Sequence, residues 1–290
     1  MSAEPAVRVS VVLPTVDRPE AIYNLLRHLE HQSTPPFEIV VVDQSQVPDQ
    51  RLAAYASANP LVRVHRIAER GLPNARNVGI GLSRGNVVLF LDDDSIPDRD
   101  LVRCHASNYN DSAIAGVGGR VLGGYDRPGS QVGRFHAGNG KVVRNFGSEL
   151  RSTVDHLPGG NMSFRREVFD RVGGFDRAYG GSAIGEETDF CLRARRAGFH
   201  FVFDPRASLE HLHLPTGGCR TPRFDEWLFW HAHNTMLFVL RHARAVSWPL
   251  FLVRRVLRIG WFALEHGSPA LMATGLRGLL RGVATHAQRS

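Results

Sequence analysis

Lysine is almost missing from this chain: Lys141 is the only one among 35 basic Lys and Arg residues. Cysteine is scarce too, and Cys104, Cys191 and Cys219 are widely spaced, odd in number and form no C-x-x-C pair. That pattern excludes a disulfide framework and a thiolate zinc site, and it fits a reducing, cytoplasmic compartment. No apolar run reaches the roughly 18 uninterrupted residues of a spanning helix. Residues 1–8 have neither a basic n-region nor an apolar h-region, so no secretory signal is expected. Internal repeats and low-complexity tracts are also lacking.

What remains is a globular composition, 43% hydrophobic and 22% charged, over 290 residues. It excludes disorder as the main description and allows one large domain, or one domain with an extension. The formal charge of +7 and a pI near 10.0 suit anionic partners: phosphates, anionic lipid or nucleic acid.

The pattern predicts a strand over 7–13, ended by Pro14, and a helix over 17–31. Asp17 would cap that helix, with Ile22, Leu25, Leu26 and Leu29 as its apolar stripe. Strands follow over 38–42, 62–67 and 86–91, separated by helices over 50–58 and 72–83. This alternation predicts an α/β fold with a mainly parallel sheet and helices on both faces. In such a sheet ligands bind at the carboxyl ends of the strands. Pro14-Thr15, Asp43, Arg70-Gly71 and Asp92-Asp93-Asp94 all fall there. Residues 113–160 are Gly-rich and less regular, with a strand over 114–122 and a mobile loop on the acceptor side. Helices over 164–170 and 186–197, a strand over 199–203, and aromatic, Leu- and Arg-rich helices past Pro222 complete the reading.

The triplet carries the most chemistry. Adjacent carboxylates repel at the mouth of a buried strand, and a divalent cation reverses that sign. Asp92 and Asp94 also share a face of an extended segment. The alternative is a solvated acidic turn that starts the next helix, continued by Asp98 and Asp100.

Six segments, Val11–Thr15, Ile39–Asp43, Gly71–Gly79, Leu89–Asp94, Gly159–Met162 and Gly185–Arg193, resemble the inverting, nucleotide-sugar-dependent glycosyltransferases of family 2 in order and spacing. The resemblance covers about residues 7–215. It implies a GT-A fold, a Rossmann-like mixed sheet with helices on both faces. The catalytic domain would span residues 1–220 and an amphipathic helical extension 221–290.

The resemblance also implies roles. Pro14, Thr15 and Asp43 would meet the base or ribose, and Arg70, Arg76 and Asn77 the nucleotide and phosphates. Asp92 would touch the ribose or a metal-bound water, while Asp94 ligates Mg²⁺ or Mn²⁺ and His211 completes the shell. Asp93, Gly159, Gly160, Asn161 and Glu186 would border the donor sugar and acceptor. Glu187 would be the general base, one methylene longer than the aspartate usual in the family. The implied reaction moves a sugar from a nucleoside diphosphate donor to a hydroxyl of a polysaccharide, a lipid-linked glycan or a small glycoside.

Other readings stand beside these. Arg76 could pair with Asp92, the 186–189 acids could simply favour a helix N-terminus, and Asp189 could pair with Arg193 four residues on. His211 and His213, two apart on a strand, could be structural or suit zinc. In 248–264, Arg254, Arg255 and Arg258 interrupt an apolar helix. That argues for a helix lying on the inner membrane surface, or one packed on the domain or on a second subunit of a homo-oligomer. Among other enzymes, a nucleotidyltransferase needs a Gly-rich basic loop after the first strand, which Pro14-Thr15-Val16-Asp17 is not. A nucleic-acid-binding protein would show a binding module, and none is recognisable, so no nucleic acid partner is expected.

Overall fold

A strand with no polar face can sit only inside a sheet that is covered on both sides. The computed structural model, which describes residues 6–123 and 129–289, has that arrangement in its first half. There β1 (Val9–Thr15), α1 (Pro19–Glu30), β2 (Glu38–Asp43), α2 (Gln50–Ala58), β3 (Val62–Arg66), α3 (Leu72–Leu82) and β4 (Val87–Leu91) follow one another. Next come β5 (Ser95–Pro97), α4 (Leu101–Asn108), β6 (Ile114–Leu122), β7 (Arg134–His136), β8 (Lys141–Val143) and β9 (Ser152–Val154). The domain continues with β10 (Asn161–Arg165), α5 (Arg166–Val172), α6 (Glu186–Arg196) and β11 (His200–His211). Helices α7 (Phe224–His242), α8 (Trp248–Glu265) and α9 (Ala270–Ala287) end it.

The main sheet is nine-stranded, in the order β3-β2-β1-β4-β10-β6-β11-β5, with β9 also pairing with β11. Alternate residues go to opposite cores. Val9, Val11 and Leu13 of β1 join Leu89 and Leu91 under α1, α2 and α4. Val12, Val88 and Phe90 face α3, α5 and α6 on the other side. On that second face Phe90, Phe164, Phe169, Phe175 and Phe190 make an aromatic cluster of edge-to-face, stacked and tilted pairs, with ring centroids 4.6 Å apart for Phe175 and Phe190. Such pairs add to simple burial, and here they seat α6 on the sheet.

Several expectations need correction. The strand–helix alternation predicts a mainly parallel sheet, but the sheet is mixed, as the resemblance implies, because β10 inserts antiparallel between β4 and β6. Residues 161–165 form that strand, so the helix expected over 164–170 begins only at Arg166, as α5. The 199–203 strand is instead the twelve-residue β11, with a register shift between Asp204 and Ser208. Pro14 does not end β1 but lies within it. The β1–β4 register stops at Val12, so the missing N–H of Pro14 interrupts no ladder bond on that side. Asp17 is not the cap of α1: it takes a left-handed φ of 54°, and Arg18 holds the N-cap position. The mobile loop expected within 113–160 falls partly on residues 124–128, which lie outside the described residues.

Past residue 222 the chain adds a helical layer. Tyr179, Ala183 and Leu192 pack against Leu237, Phe238 and Val239 of α7. A Cβ on Gly278 of α9 would lie 2.4 Å from the Phe229 carbonyl, so only glycine lets α9 approach α7 this closely. No helix among the described residues is long and apolar enough to cross a membrane.

Glu38, at the start of β2, is buried and accepts hydrogen bonds from Ser10 Oγ (2.7 Å), Arg63 Nη2 (2.6 Å) and Arg84 Nε (3.0 Å). Burial alone would raise its pKa, but the bonds from Ser10, the Arg84 amide, Arg63 and the Arg84 side chain outweigh it and hold the carboxyl at about 2. Its folded value lies below the ordinary 4.5, so the stabilisation is complete above that pH and is lost as pH falls toward about 2. Glu38→Gln is expected to cost about 2 kcal/mol at neutral pH. Thermal melts should show the variant and the wild type converging as the pH approaches about 2.

Candidate active site

Parallel β1, β2 and β4 end on one edge of the sheet. The strand order then reverses twice, at β10 and at β6, and β11 runs parallel to β6. The two reversals cancel, so His211 at the end of β11 reaches the same edge as Thr15, Asp43 and the acidic triplet. That convergence is a product of the mixed sheet.

The triplet turns out of β4 with its side chains divided. Asp93 accepts from Thr15 Oγ1 (2.7 Å) and from Arg18 Nη1 (2.9 Å). Asp92 and Asp94 both point toward His211 Nε2, at 3.8 Å and 2.8 Å. The period-two expectation for these two residues therefore holds at His211, although the turn has begun. The solvated-turn alternative does not hold, since Asp93 and Asp94 are each 3% exposed. Arg18 Nη1 also meets Asp94 Oδ2 at 3.0 Å, and the Leu214 amide donates to the same oxygen.

The two buried acids are pushed in opposite directions. Burial raises the Asp93 carboxyl to about 6 against the pull of Thr15 and Arg18. For Asp94, burial is outweighed by the His211 hydrogen bond and the charges of His211 and Arg18, which hold it at about 2. His211 is lowered by burial but raised on balance by Asp94 and Asp92.

A second group gathers at the start of α6. Arg76, buried on α3, pairs with Glu186, donates to the Gly159 carbonyl (2.8 Å) and lies 3.5 Å from Asp92 Oδ1. The pairing weighed between Arg76 and Asp92 is therefore loose, and Glu186 is the main partner of Arg76. Glu186 is buried with it, so its charge is matched inside the protein rather than set against Glu187. Glu187 turns into the cleft beside Gly159. A Cβ on Gly160 would lie 2.5 Å from Asp92 Oδ2, so a side chain there would displace the Asp92 carboxylate.

Helix α6 is fixed from behind. Asp189 accepts from Arg193 Nε (2.9 Å), as its spacing predicts, and also from His242 Nε2 (2.8 Å) and Arg241 Nη1 (3.2 Å) of α7. Burial opposes ionisation of Asp189, yet the His242 bond and the Arg193, His242 and Arg241 charges hold its pKa well below the carboxylate range.

One cavity of about 220 Å³ is lined by Pro14, Thr15, Arg18, the triplet, His211 and Cys219. Another of about 360 Å³ is lined by Arg76, Asp92, Gly159, Gly160, Glu186, Glu187 and His211. Leu72, Asp92, Ser182 and His211 border both, so they form one cleft. Asp43 lines a neighbouring hollow beyond Thr15, where it accepts from the Ser45 amide (2.8 Å). Arg70 pairs with Asp17 at 2.7 Å on the rim.

Two expected residues turn away. Asn77 clamps the backbone of Phe175 through both ends of its amide, at 2.8 Å each. Asn161 is buried in the sheet, donating to Arg120 and Ala207 carbonyls and contacting His105 Nε2 at 2.9 Å. His213 lies beyond β11 with φ of 52°, its ring 4.0 Å from that of His211. The two histidines therefore do not share a strand face.

Sequence reasoning missed Arg18 and the segment it holds. Arg18 donates to the carbonyls of Thr216 (2.7 Å) and Leu214 (3.0 Å), drawing residues 214–220 over the triplet. Its only signal in the sequence was its position just after the first strand.

No group of three His, Cys, Asp or Glu side chains among the described residues is arranged to enclose a metal. Asp94 Oδ1 and His211 Nε2, 2.8 Å apart, offer a carboxylate and an imidazole. That pair suits Mn²⁺ or Mg²⁺, which one or two side chains hold when diphosphate oxygens and water complete the shell.

The mixed sheet and the strand-end acids define a GT-A glycosyltransferase fold. The sequence profile for "Glycosyl transferase family 2" matches residues 10–173, and this chain belongs to that family. It is 28% identical over 256 residues to glucosyl-dolichyl phosphate glucuronosyltransferase of Haloferax volcanii, covering 82% of this chain and 80% of that protein. It is 28% identical over 224 residues to the amylovoran biosynthesis glycosyltransferase AmsB of Erwinia amylovora, covering 72% and 71%.

Among solved structures, the mannosyltransferase PcManGT of Pyrobaculum calidifontis, in complex with GDP-Man and Mn²⁺, superposes with a TM-score of 0.60 at 15% identity. That match covers 99% of this chain and 89% of the other. GalNAc-T7 with UDP, GalNAc and Mn²⁺ gives a TM-score of 0.57 at 18% identity, covering 80% and 50%. At these identities the structures show the fold alone. The family decides for the glycosyltransferase reading over the nucleotidyltransferase and nucleic-acid-binding ones.

Arg18→Gln leaves Asp93 and Asp94 buried without their shared cation. It is expected to destabilise the metal-free protein by about 3 kcal/mol. Thermal melts with and without Mn²⁺ should show the ion raising Tm more in the variant than in the wild type.

Proposed function

We propose that this chain is an inverting glycosyltransferase that moves a sugar from a nucleoside diphosphate sugar to a hydroxyl of a lipid-linked acceptor. It would work as a peripheral protein at the inner face of a membrane. On this reading residues 1–220 are the catalytic domain and 221–290 a helical extension. One observation carries the proposal: Glu187 and Gly159-Gly160 line the same cavity as Asp92 and His211. A proton acceptor and a diphosphate-binding pole thus share one cleft. The lipid-linked acceptor is supported by the name of the Haloferax volcanii relative, and the nucleotide donor by the family.

Asp94 and His211 would hold Mg²⁺ or Mn²⁺, which when bound supplies Lewis-acid stabilisation of the departing diphosphate. The chain's own residues do the rest. Arg18 occupies Asp94 Oδ2 and leaves Oδ1 directed at His211. Asp43 and Thr15 would receive the nucleoside, and Arg70 on the rim lies within reach of its charged end. Arg76 matches the charge of Glu186, which leaves Glu187 as the carboxylate facing the cleft. Glu187 would take the proton of the acceptor hydroxyl as its oxygen attacks the anomeric carbon from the face opposite the leaving group. The glycine pair keeps that side of the cleft free of side chains.

UDP-, GDP- and dTDP-sugars, screened for Mn²⁺- or Mg²⁺-dependent thermal stabilisation and turnover, identify the donor. Asp94→Ala should lose the metal-dependent donor binding, and excess chelator should do the same to the wild type. Glu187→Gln should bind donor normally and transfer about a hundredfold slower or worse. Near-wild-type transfer by that variant would remove Glu187 from the base role, and full turnover in chelator would remove the metal.

A further inference from the structure

Helix α8 buries little of itself. Ile259 is its only fully buried residue, and Phe251, Val256 and Phe262 lean on the core formed with α7 and α9. The opposite stripe is apolar and open: Leu250, Val253, Leu257, Trp261 and Leu264 are 52%, 56%, 68%, 59% and 82% exposed. Their spacing of three and four residues puts them on one helix face. Helix α9 repeats the pattern. Gly275, Gly278 and Gly282 face the neighbouring helices, while Leu276, Leu280 and Val283 stand 37%, 69% and 43% exposed. Two neighbouring helices with open apolar stripes are far more than the scattered exposed leucine of an ordinary surface.

The charges beside these stripes are nearly all positive. From α8 onward the only acid is Glu265, against Arg254, Arg255, Arg258, Arg277, Arg281 and Arg289. Arg255 is turned inward to His231 Nε2 at 2.8 Å. Arg254, Arg258, Arg277 and Arg281 are exposed. Arg258 rests on the Phe262 ring and Arg277 donates to Thr274 Oγ1, contacts that leave their charge unneutralised.

We infer that the outer faces of α8 and α9 together dock on an anionic lipid bilayer, lying in the interface rather than crossing it. Leucines, Val253 and Trp261 enter the boundary between headgroups and acyl chains, and the four exposed arginines meet the lipid phosphates. Trp261 suits that depth, with an apolar ring and one N–H for the wet side. A second copy of the chain is a poorer occupant, because pairing two such faces would bring arginine against arginine with Glu265 as the single acid on each. The surface stands apart from the cleft and does not depend on the choice of donor or acceptor. It widens the membrane contact from 248–264 to a platform of two helices.

Flotation with vesicles of phosphatidylcholine, with and without phosphatidylglycerol, tests this. The wild type should float with the anionic vesicles only, and added salt should release it. Leu257→Glu/Trp261→Glu should lower partition by at least about tenfold, and Arg254→Gln/Arg258→Gln by roughly fivefold per arginine with a weaker salt response. Circular dichroism melts should match the wild type, since all four side chains are exposed, and donor turnover on a soluble acceptor should be unchanged. Equal flotation of the Leu257/Trp261 variant would overturn the proposal. So would equal binding to neutral vesicles, or a wild type that ignores lipid and sediments as a dimer the variant dissolves.

Discussion

Carboxylates crowded at the end of a buried strand stay ionised and in place only where cations are built in among them. Here two arginines from separate elements do that work. Arg18, from the loop before α1, bridges Asp93 and Asp94, and Arg76, from α3, takes Glu186 and borders Asp92. Each is almost fully withdrawn from water, so each interaction is screened little. Asp94 divides its oxygens between Arg18 and His211, while Asp92 and Glu187 keep their side chains at the cleft.

The second constraint is mechanical. Glu187 keeps its place in the cleft only while α6 holds still, and two kinds of packing secure that helix. On the sheet side, the phenylalanine cluster fits Phe190 among Phe164, Phe169 and Phe175. On the other side, Asp189 is tied to His242 and Arg241 of α7. Helix α7 is therefore structurally joined to α6, while α8 and α9 offer an outer face.

Much of the first half was legible because its rules are local. Period-two apolar strands, helices with an apolar stripe, and polar residues at strand ends made the edge visible before any tertiary information, and α2 was read to its residue. The 161–165 strand was not, since Asn161-Met162-Ser163-Phe164-Arg165 is short and follows two glycines. It becomes a strand because β4 and β6 leave a gap of the right width between them. For the same reason Asn77 and Asn161 were misjudged: a motif gives the residue type, while the direction of the side chain comes from what packs around it.

Composition, spacing and periodicity alone determined the α/β class, the polar strand-end edge, the acidic triplet and the basic, amphipathic character of the last helices. Each of these follows from interactions between residues close in the chain. Tertiary structure alone decided that 161–165 is the antiparallel strand between β4 and β6, that His211 arrives within 2.8 Å of Asp94, that Arg18 and Arg76 neutralise particular acids, and that the stripes of α8 and α9 stay open. Those outcomes join residues as far apart as Asp94 and His211. Burial and charge act through space, so the sequence sets them only after the whole chain has folded.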